Sequence, residues 1–130
     1  KDNLFIDLFY AMQKLNEFLQ NSASFYNIST RKGVEHIRHS DILFFEVTGN
    51  DLYIHLIDNS ERIERKTLTS VMADLNDDSF IQISQNYIVN GNYITAVKSY
   101  AVILKDGTLL DIPKTRFKQV KEKYIRLIMR

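Results

Sequence analysis

Phe80-Ile81-Gln82-Ile83-Ser84-Gln85-Asn86-Tyr87-Ile88-Val89-Asn90-Gly91-Asn92-Tyr93-Ile94-Thr95-Ala96-Val97 organises the rest of the chain. Ile81 and Ile83 alternate with Gln82 and Ser84, the period of a strand with one face buried. A polar break at Ser84-Gln85-Asn86 follows. Tyr87-Ile88-Val89 resumes the apolar pattern, Asn90-Gly91-Asn92 signals a turn, and Tyr93 to Val97 reads as a further strand. A short amide-bearing loop is thus held between apolar anchors, and such a framework can present Gln85 and Asn86 to a partner.

The flanking sequence carries the same pattern of short strands and tight turns. Phe25 to Thr30 and Val34 to Arg38 form two strands about a turn at Arg31-Lys32-Gly33. Ile42 to Val47 follows Ser40-Asp41. Thr48-Gly49-Asn50-Asp51 turns the chain into the alternating run Leu52 to Ile57, and Asp58-Asn59-Ser60 turns it again into Glu61 to Arg65. Leu68, Val71, Met72 and Leu75 give one short amphipathic helix with Thr67 as its N-cap. Tyr100 to Lys105 and Thr108 to Ile112 flank Asp106-Gly107, whose pairing predicts a two-residue type I′ hairpin. Pro113 stops that strand, and Thr115 is placed to cap a last helix burying Phe117, Val120, Tyr124, Leu127 and Ile128. At the other end, Leu4, Leu8, Ala11, Met12, Leu15 and Leu19 keep helical spacing over residues 3–20. The expected organisation is a linker helix over residues 1–23 and one domain over residues 24–130. Short strands in succession with a single inner helix favour an antiparallel, mainly β architecture over a parallel α/β one.

The central stretch resembles the signature of the LytTR domain, the DNA-binding output module of bacterial response regulators. That signature reads roughly Phe-x-x-x-His-Arg-Ser-Tyr-x-Val-Asn-x-x-x-Ile, and Phe80, Tyr87, Val89, Asn90 and Ile94 fall in register with it. Ser84 and Gln85 stand where His-Arg is common, and Asn86 where Ser is common. A second match is Asp41-Ile42-Leu43-Phe44-Phe45-Glu46, where the family reads Asp-Ile-x-Tyr-Ile-Glu. The resemblance covers roughly residues 25–120. It implies an elongated, antiparallel, β-sandwich-like core with one short internal helix and terminal helices.

Composition sets wider bounds. With 130 residues, 45% of them hydrophobic and 25% charged, the chain suits a single globular core. It has no cysteine, so disulfides and thiolate metal sites are excluded. No apolar run approaches a membrane span and no signal-peptide pattern opens the chain, so a cytoplasmic location and no membrane partner are expected. The net charge of +1 hides an asymmetry. Lys114 to Arg130 holds seven basic residues and one acid, a net +6, which leaves −5 on the rest. A basic end on a near-neutral protein fits contact with a polyanion, as it also fits a solvated helix.

Catalysis finds little support. His36 and His39 are three apart but read as surface strand and turn positions, and Asp77 and Asp78 read as solvated loop acids. No phosphate-cradling glycine loop or nucleophile elbow is present. No enzyme activity, metal or cofactor is expected. Nucleic-acid recognition is better served, because Asn and Gln pair with adenine, Arg pairs with guanine, and Lys and Arg hold phosphates. Three segments offer such residues: Gly49-Asn50-Asp51, Ser84-Gln85-Asn86 and Lys114-Thr115-Arg116. On residues alone, Asn50 also serves a turn, Gln85 and Asn86 also cap one, and Arg116 also suits an ion pair.

The resemblance tips the balance, since LytTR domains reach successive major grooves with loops from these three places. It implies Asn50 (or Asp51), Gln85 and Arg116 as base contacts, with Asn86, Lys114 and Lys118 on the backbone. Pro113-Lys114-Thr115-Arg116 matches the family's Pro-x-Ser-Arg. Asn90 reads instead as a residue that holds its loop by bonds to the main chain. The implied partners are double-stranded DNA, an upstream receiver domain outside this chain, and a second copy on tandem half-sites. The competing reading is a β-rich protein-interaction module acting through its apolar N-terminal helix.

Overall fold

A computed structural model describes Leu8, Ala11, Met12 and residues 25–130. The expected helix over residues 3–20 and the linker boundary at residues 21–24 therefore lie outside the described residues but for those three. The described strands are β1 (Phe25–Thr30), β2 (Gly33–Arg38), β3 (Ile42–Thr48), β4 (Asp51–Leu56), β5 (Glu61–Glu64), β6 (Phe80–Gln82), β7 (Tyr87–Asn90), β8 (Ile94–Lys98), β9 (Ala101–Leu104) and β10 (Leu109–Asp111). Helix α1 spans Leu68–Leu75 and helix α2 spans Lys114–Ile128. Strands β5-β4-β3-β7-β6 form the central sheet, β10-β9-β8 a second, and β1-β2 a hairpin. Every pairing given for them is antiparallel. The mainly β expectation holds.

The central sheet is covered on both faces, and strand alternation explains how. Phe45, Leu52, Ile54, Phe80 and Ile88 point to one side, where they meet Tyr26, Ile28 and Ile37 of the β1-β2 hairpin and Leu68, Val71 and Leu75 of α1. Phe44, Ile81, Ile83 and Val89 point to the other, against Val102, Leu104, Leu110, Ile112 and Val120. One-residue steps in β3, β6 and β7 thus feed two separate cores. Each fully buried aliphatic or aromatic side chain there contributes about 1.5–3 kcal/mol.

Local chemistry sets the element ends. Thr67 Oγ1 accepts the Ser70 N–H at 3.2 Å, the N-cap expected for α1. Asn76, at φ 43°, ends that helix in the left-handed region. Helix α2 begins one residue before the expected cap. Pro113 occupies its N-cap position without a side-chain bond, and Thr115 is already helical. The Arg116 N–H, which a hydroxyl cap would otherwise take, donates instead to the Pro113 carbonyl. Ile128, expected in the core, is 60% exposed, while its neighbour Leu127 packs over Gly91.

Two turns differ from expectation. The Asp106-Gly107 hairpin exists, but its loop has three residues. Gly107 N–H donates to Leu104 O at 2.9 Å, and Leu104 N–H to Thr108 O at 2.9 Å. Only Gly107, at φ 90°, is left-handed, the arrangement of a tight turn closed by a glycine bulge. The two-residue turn with positive φ at both positions lies instead between β8 and β9, at Ser99 (φ 54°) and Tyr100 (φ 59°). Left-handed backbone costs a non-glycine residue about 1–2 kcal/mol.

His39, expected at the surface, is buried. Its Nδ1 lies 2.9 Å from Asp77 Oδ2, and its ring meets Phe80 edge-on. Asp77 is therefore more than a solvated loop acid. A carboxylate accepts only, so Nδ1 carries the proton.

Candidate nucleic-acid interface

The first candidate segment is the β3–β4 turn. Thr48 and Asp51 face each other across the ladder, which leaves Gly49 and Asn50 as the two turn residues. Gly49 takes the left-handed conformation at φ 63°. Glycine therefore supplies the turn geometry, and the exposed Asn50 side chain is not needed for it. Asp51 is half-buried at the foot of the turn.

The second segment, between β6 and β7, is built on a buried serine. Ser84 Oγ accepts the Asn86 N–H at 3.1 Å, and Gln82 Nε2 donates to Ser84 O at 3.1 Å. Val47 N–H donates to Asn86 O at 2.9 Å, tying this loop to β3 just before the Asn50 turn. Ser84 does the capping, so Gln85 and Asn86 stay exposed. Gly49, Asn50 and Gln85 line one open cleft of about 550 Å³ together with Arg65, Lys66 and Gln82. The fold thus brings two of the three expected base-contact residues onto one cleft.

The third segment leaves β10 at Asp111. Tyr87, next to Asn86, donates its hydroxyl to Glu46 Oε2 at 3.2 Å. Burial raises the pKa of that hydroxyl, and the Glu46 and Asp111 carboxylates raise it further. Asp111 thus acts on the Tyr87 side chain that follows the Gln85-Asn86 loop. Pro113 follows, and its carbonyl accepts the Arg116 N–H at 2.9 Å in the first turn of α2. Arg116 is half-buried, while Lys114 and Lys118 are exposed. Arg116 does not line the Asn50–Gln85 cleft. Among the described residues, no ion pair engages Arg116, Lys114 or Lys118.

Chemically, the cleft offers two amides, each both donor and acceptor, and the start of α2 separately offers one guanidinium fork and exposed ammonium groups. Asn90 works differently. It is buried, and its Nδ2 donates to Ile42 O at 2.9 Å and His39 O at 3.1 Å. Its Oδ1 accepts the Asn92 N–H at 3.1 Å, so it is a scaffold residue as expected.

Sequence reasoning passed over Arg65 and Lys66. The adjacent basic pair just ahead of the α1 N-cap was the available signal. Lys66 is held by Asp74 and lies 4.9 Å from the Tyr26 ring centroid, whereas Arg65 is exposed. Among the described residues, no group of three His, Cys, Asp or Glu side chains could hold a metal ion. Nor is any described helix long and apolar enough to cross a membrane.

Comparison with known proteins gives concordant results. The family model for the LytTr DNA-binding domain matches residues 32–125. The sensory transduction protein LytT of Bacillus subtilis (strain 168) is 23% identical over 100 residues, covering 73% of this chain and 41% of that protein. The chain therefore spans less than half the length of that relative. A solved LytTr DNA-binding domain from Bacillus cereus superposes with a TM-score of 0.64 at 19% identity, over 78% of this chain and 96% of that one.

Proposed function

Because the chain belongs to the LytTr DNA-binding domain family, we propose that it binds double-stranded DNA sequence-specifically, with three loops entering major grooves. DNA binding by a regulator's output domain is the family's role. The finer reading assigns base contacts to Asn50, Gln85 and Arg116, and backbone contacts to Asn86, Lys114 and Lys118. The observation that carries it is the exposure of Asn50 and Gln85 on one cleft while Gly49 and Ser84 do the structural work beneath them. Amides freed from turn duty can serve base edges, where Asn and Gln pair bidentately with adenine. The basic α2 adds a salt-sensitive attraction to phosphate.

An upstream receiver domain whose phosphorylation brings two copies onto tandem half-sites completes the proposal. The test is a gel shift of genomic fragments at increasing salt. A subset of fragments should stay bound at salt concentrations that release the rest. Uniform release of all fragments would remove sequence specificity. Failure to hold any duplex at low salt would leave the protein-interaction reading in its place.

A further inference from the structure

The β8–β9 turn uses a conformation its residues do not favour. Two-residue antiparallel hairpins need left-handed backbone to match the strand twist, and Asn-Gly is the usual solution. Here Ser99 and Tyr100 adopt it at φ 54° and 59°. A bulky aromatic at such φ is an outlier, and outliers of this kind concentrate at binding sites. Packing alone is a weak reason for it. The Tyr100 ring tilts against Phe117 with centroids 4.8 Å apart, yet the residue stays 47% exposed.

The surroundings are those of a polyanion contact. Lys114 Nζ lies 5.7 Å from the centroid of the Tyr100 ring. Lys98, the last residue of β8, is exposed beside the turn. Ile112 N–H donates to Tyr100 O at 2.8 Å, which fixes the turn to the segment leading into Lys114 and Arg116. Asp111 is the acid across the ladder from Ala101, and its carboxylate acts on Tyr87. We propose that Tyr100 is a further DNA-backbone contact, its hydroxyl donating to a phosphate oxygen while its ring carries the Lys114 ammonium alongside. Tyrosine hydroxyls are regular phosphate donors in protein–DNA interfaces. The ring lies against Lys114 and Phe117, which flank Arg116 on the first turn of α2. This inference rests on the DNA-binding reading and adds a fourth contact segment to it.

The test compares wild type, Tyr100→Phe, Tyr100→Gly and Arg116→Ala on a retained fragment and a scrambled duplex, across a salt series. Tyr100→Phe keeps the ring, the Phe117 contact and the fold. It should weaken both duplexes alike by roughly 3–10-fold, one hydrogen bond's worth, with the salt slope unchanged. Tyr100→Gly, which adopts the turn freely, should lose at least as much. Affinities within twofold of wild type for both Tyr100 variants overturn the proposal. Arg116→Ala separates the two levels. A loss confined to the retained fragment keeps the DNA-binding reading standing whatever Tyr100 does, and a wild type that holds neither duplex ends both.

Discussion

Leu127 of α2 lies directly over Gly91, with the Ser79 carbonyl closing the space from the side. A Cβ at position 91 would overlap the Leu127 side chain and stand 2.7 Å from Ser79 O. That same oxygen accepts the Gly91 N–H at 2.7 Å, so it cannot retreat without breaking the bond. Gly91 is absent from the positive-φ glycines, and its requirement is therefore space rather than backbone freedom.

Gly91→Ala should destabilise the domain by about 1–3 kcal/mol, the range for overpacking a filled site. Urea unfolding measures it. Leu127→Ala in the same chain should recover part of the loss, because residues in contact do not add independently. Wild-type stability in Gly91→Ala would mean that α2 does not seat there.

Asn90 bridges the β2–β3 connection to β7 through two buried bonds, to His39 O and Ile42 O. Asn90→Ala leaves both carbonyls without this donor and should cost about 2–4 kcal/mol. Chemical denaturation should show the drop, and amide exchange should quicken around Asn92, whose N–H the Asn90 side chain also holds. A loss below about 0.5 kcal/mol, the level of an ordinary surface substitution, would contradict the scaffold role.

Asp77 links stability to acid. Burial by itself would raise its carboxyl pKa. The Ser79 N–H and the His39 ring outweigh that and hold it below the ordinary 3.8. A carboxylate with a depressed folded pKa contributes stability that is complete above its unfolded value and drains away as pH falls through the folded one. Wild type should therefore lose stability on acidification below about pH 4 more steeply than Asp77→Asn, whose amide does not titrate. Parallel stability curves for the two proteins between neutral and acid pH would exclude the linkage.

Most of this architecture could be read from alternation and punctuation. Strands in which Ile, Leu and Phe mark opposite faces announce themselves, and so do turns marked by Gly33, Gly49 and Asp58-Asn59-Ser60. The two misread turns share one cause. Asp106-Gly107 supplies a left-handed residue that either loop length can use, and register across β9 and β10 selects the longer one. Nothing local in Ser99-Tyr100 announces positive φ, because β8–β9 pairing imposes it against preference. His39 escaped for a similar reason: its partner Asp77 is 38 residues away. The candidate interface divides the same way. Asn50 and Gln85 fall in loops the pattern predicts, but their common cleft and the Arg65 beside it depend on the Val47–Asn86 bond, which no spacing encodes.

Arg116 and Lys118 offer the sharpest contrast, since both are basic, two residues apart on α2, and assigned different work. A guanidinium reading guanine is worth about 1–3 kcal/mol against a wrong base. Arg116→Ala should therefore weaken the specific fragment by that amount and leave the scrambled duplex nearly untouched. An ammonium on phosphate carries no sequence information. Lys118→Ala should weaken both duplexes alike and reduce the slope of log affinity against log salt by about 1. Salt-titrated gel shifts on one pair of duplexes read both variants. If Lys118→Ala lost only the specific fragment, or Arg116→Ala only flattened the salt slope, the two roles would have to be exchanged. Arg116 would then serve the backbone and Lys118 the bases.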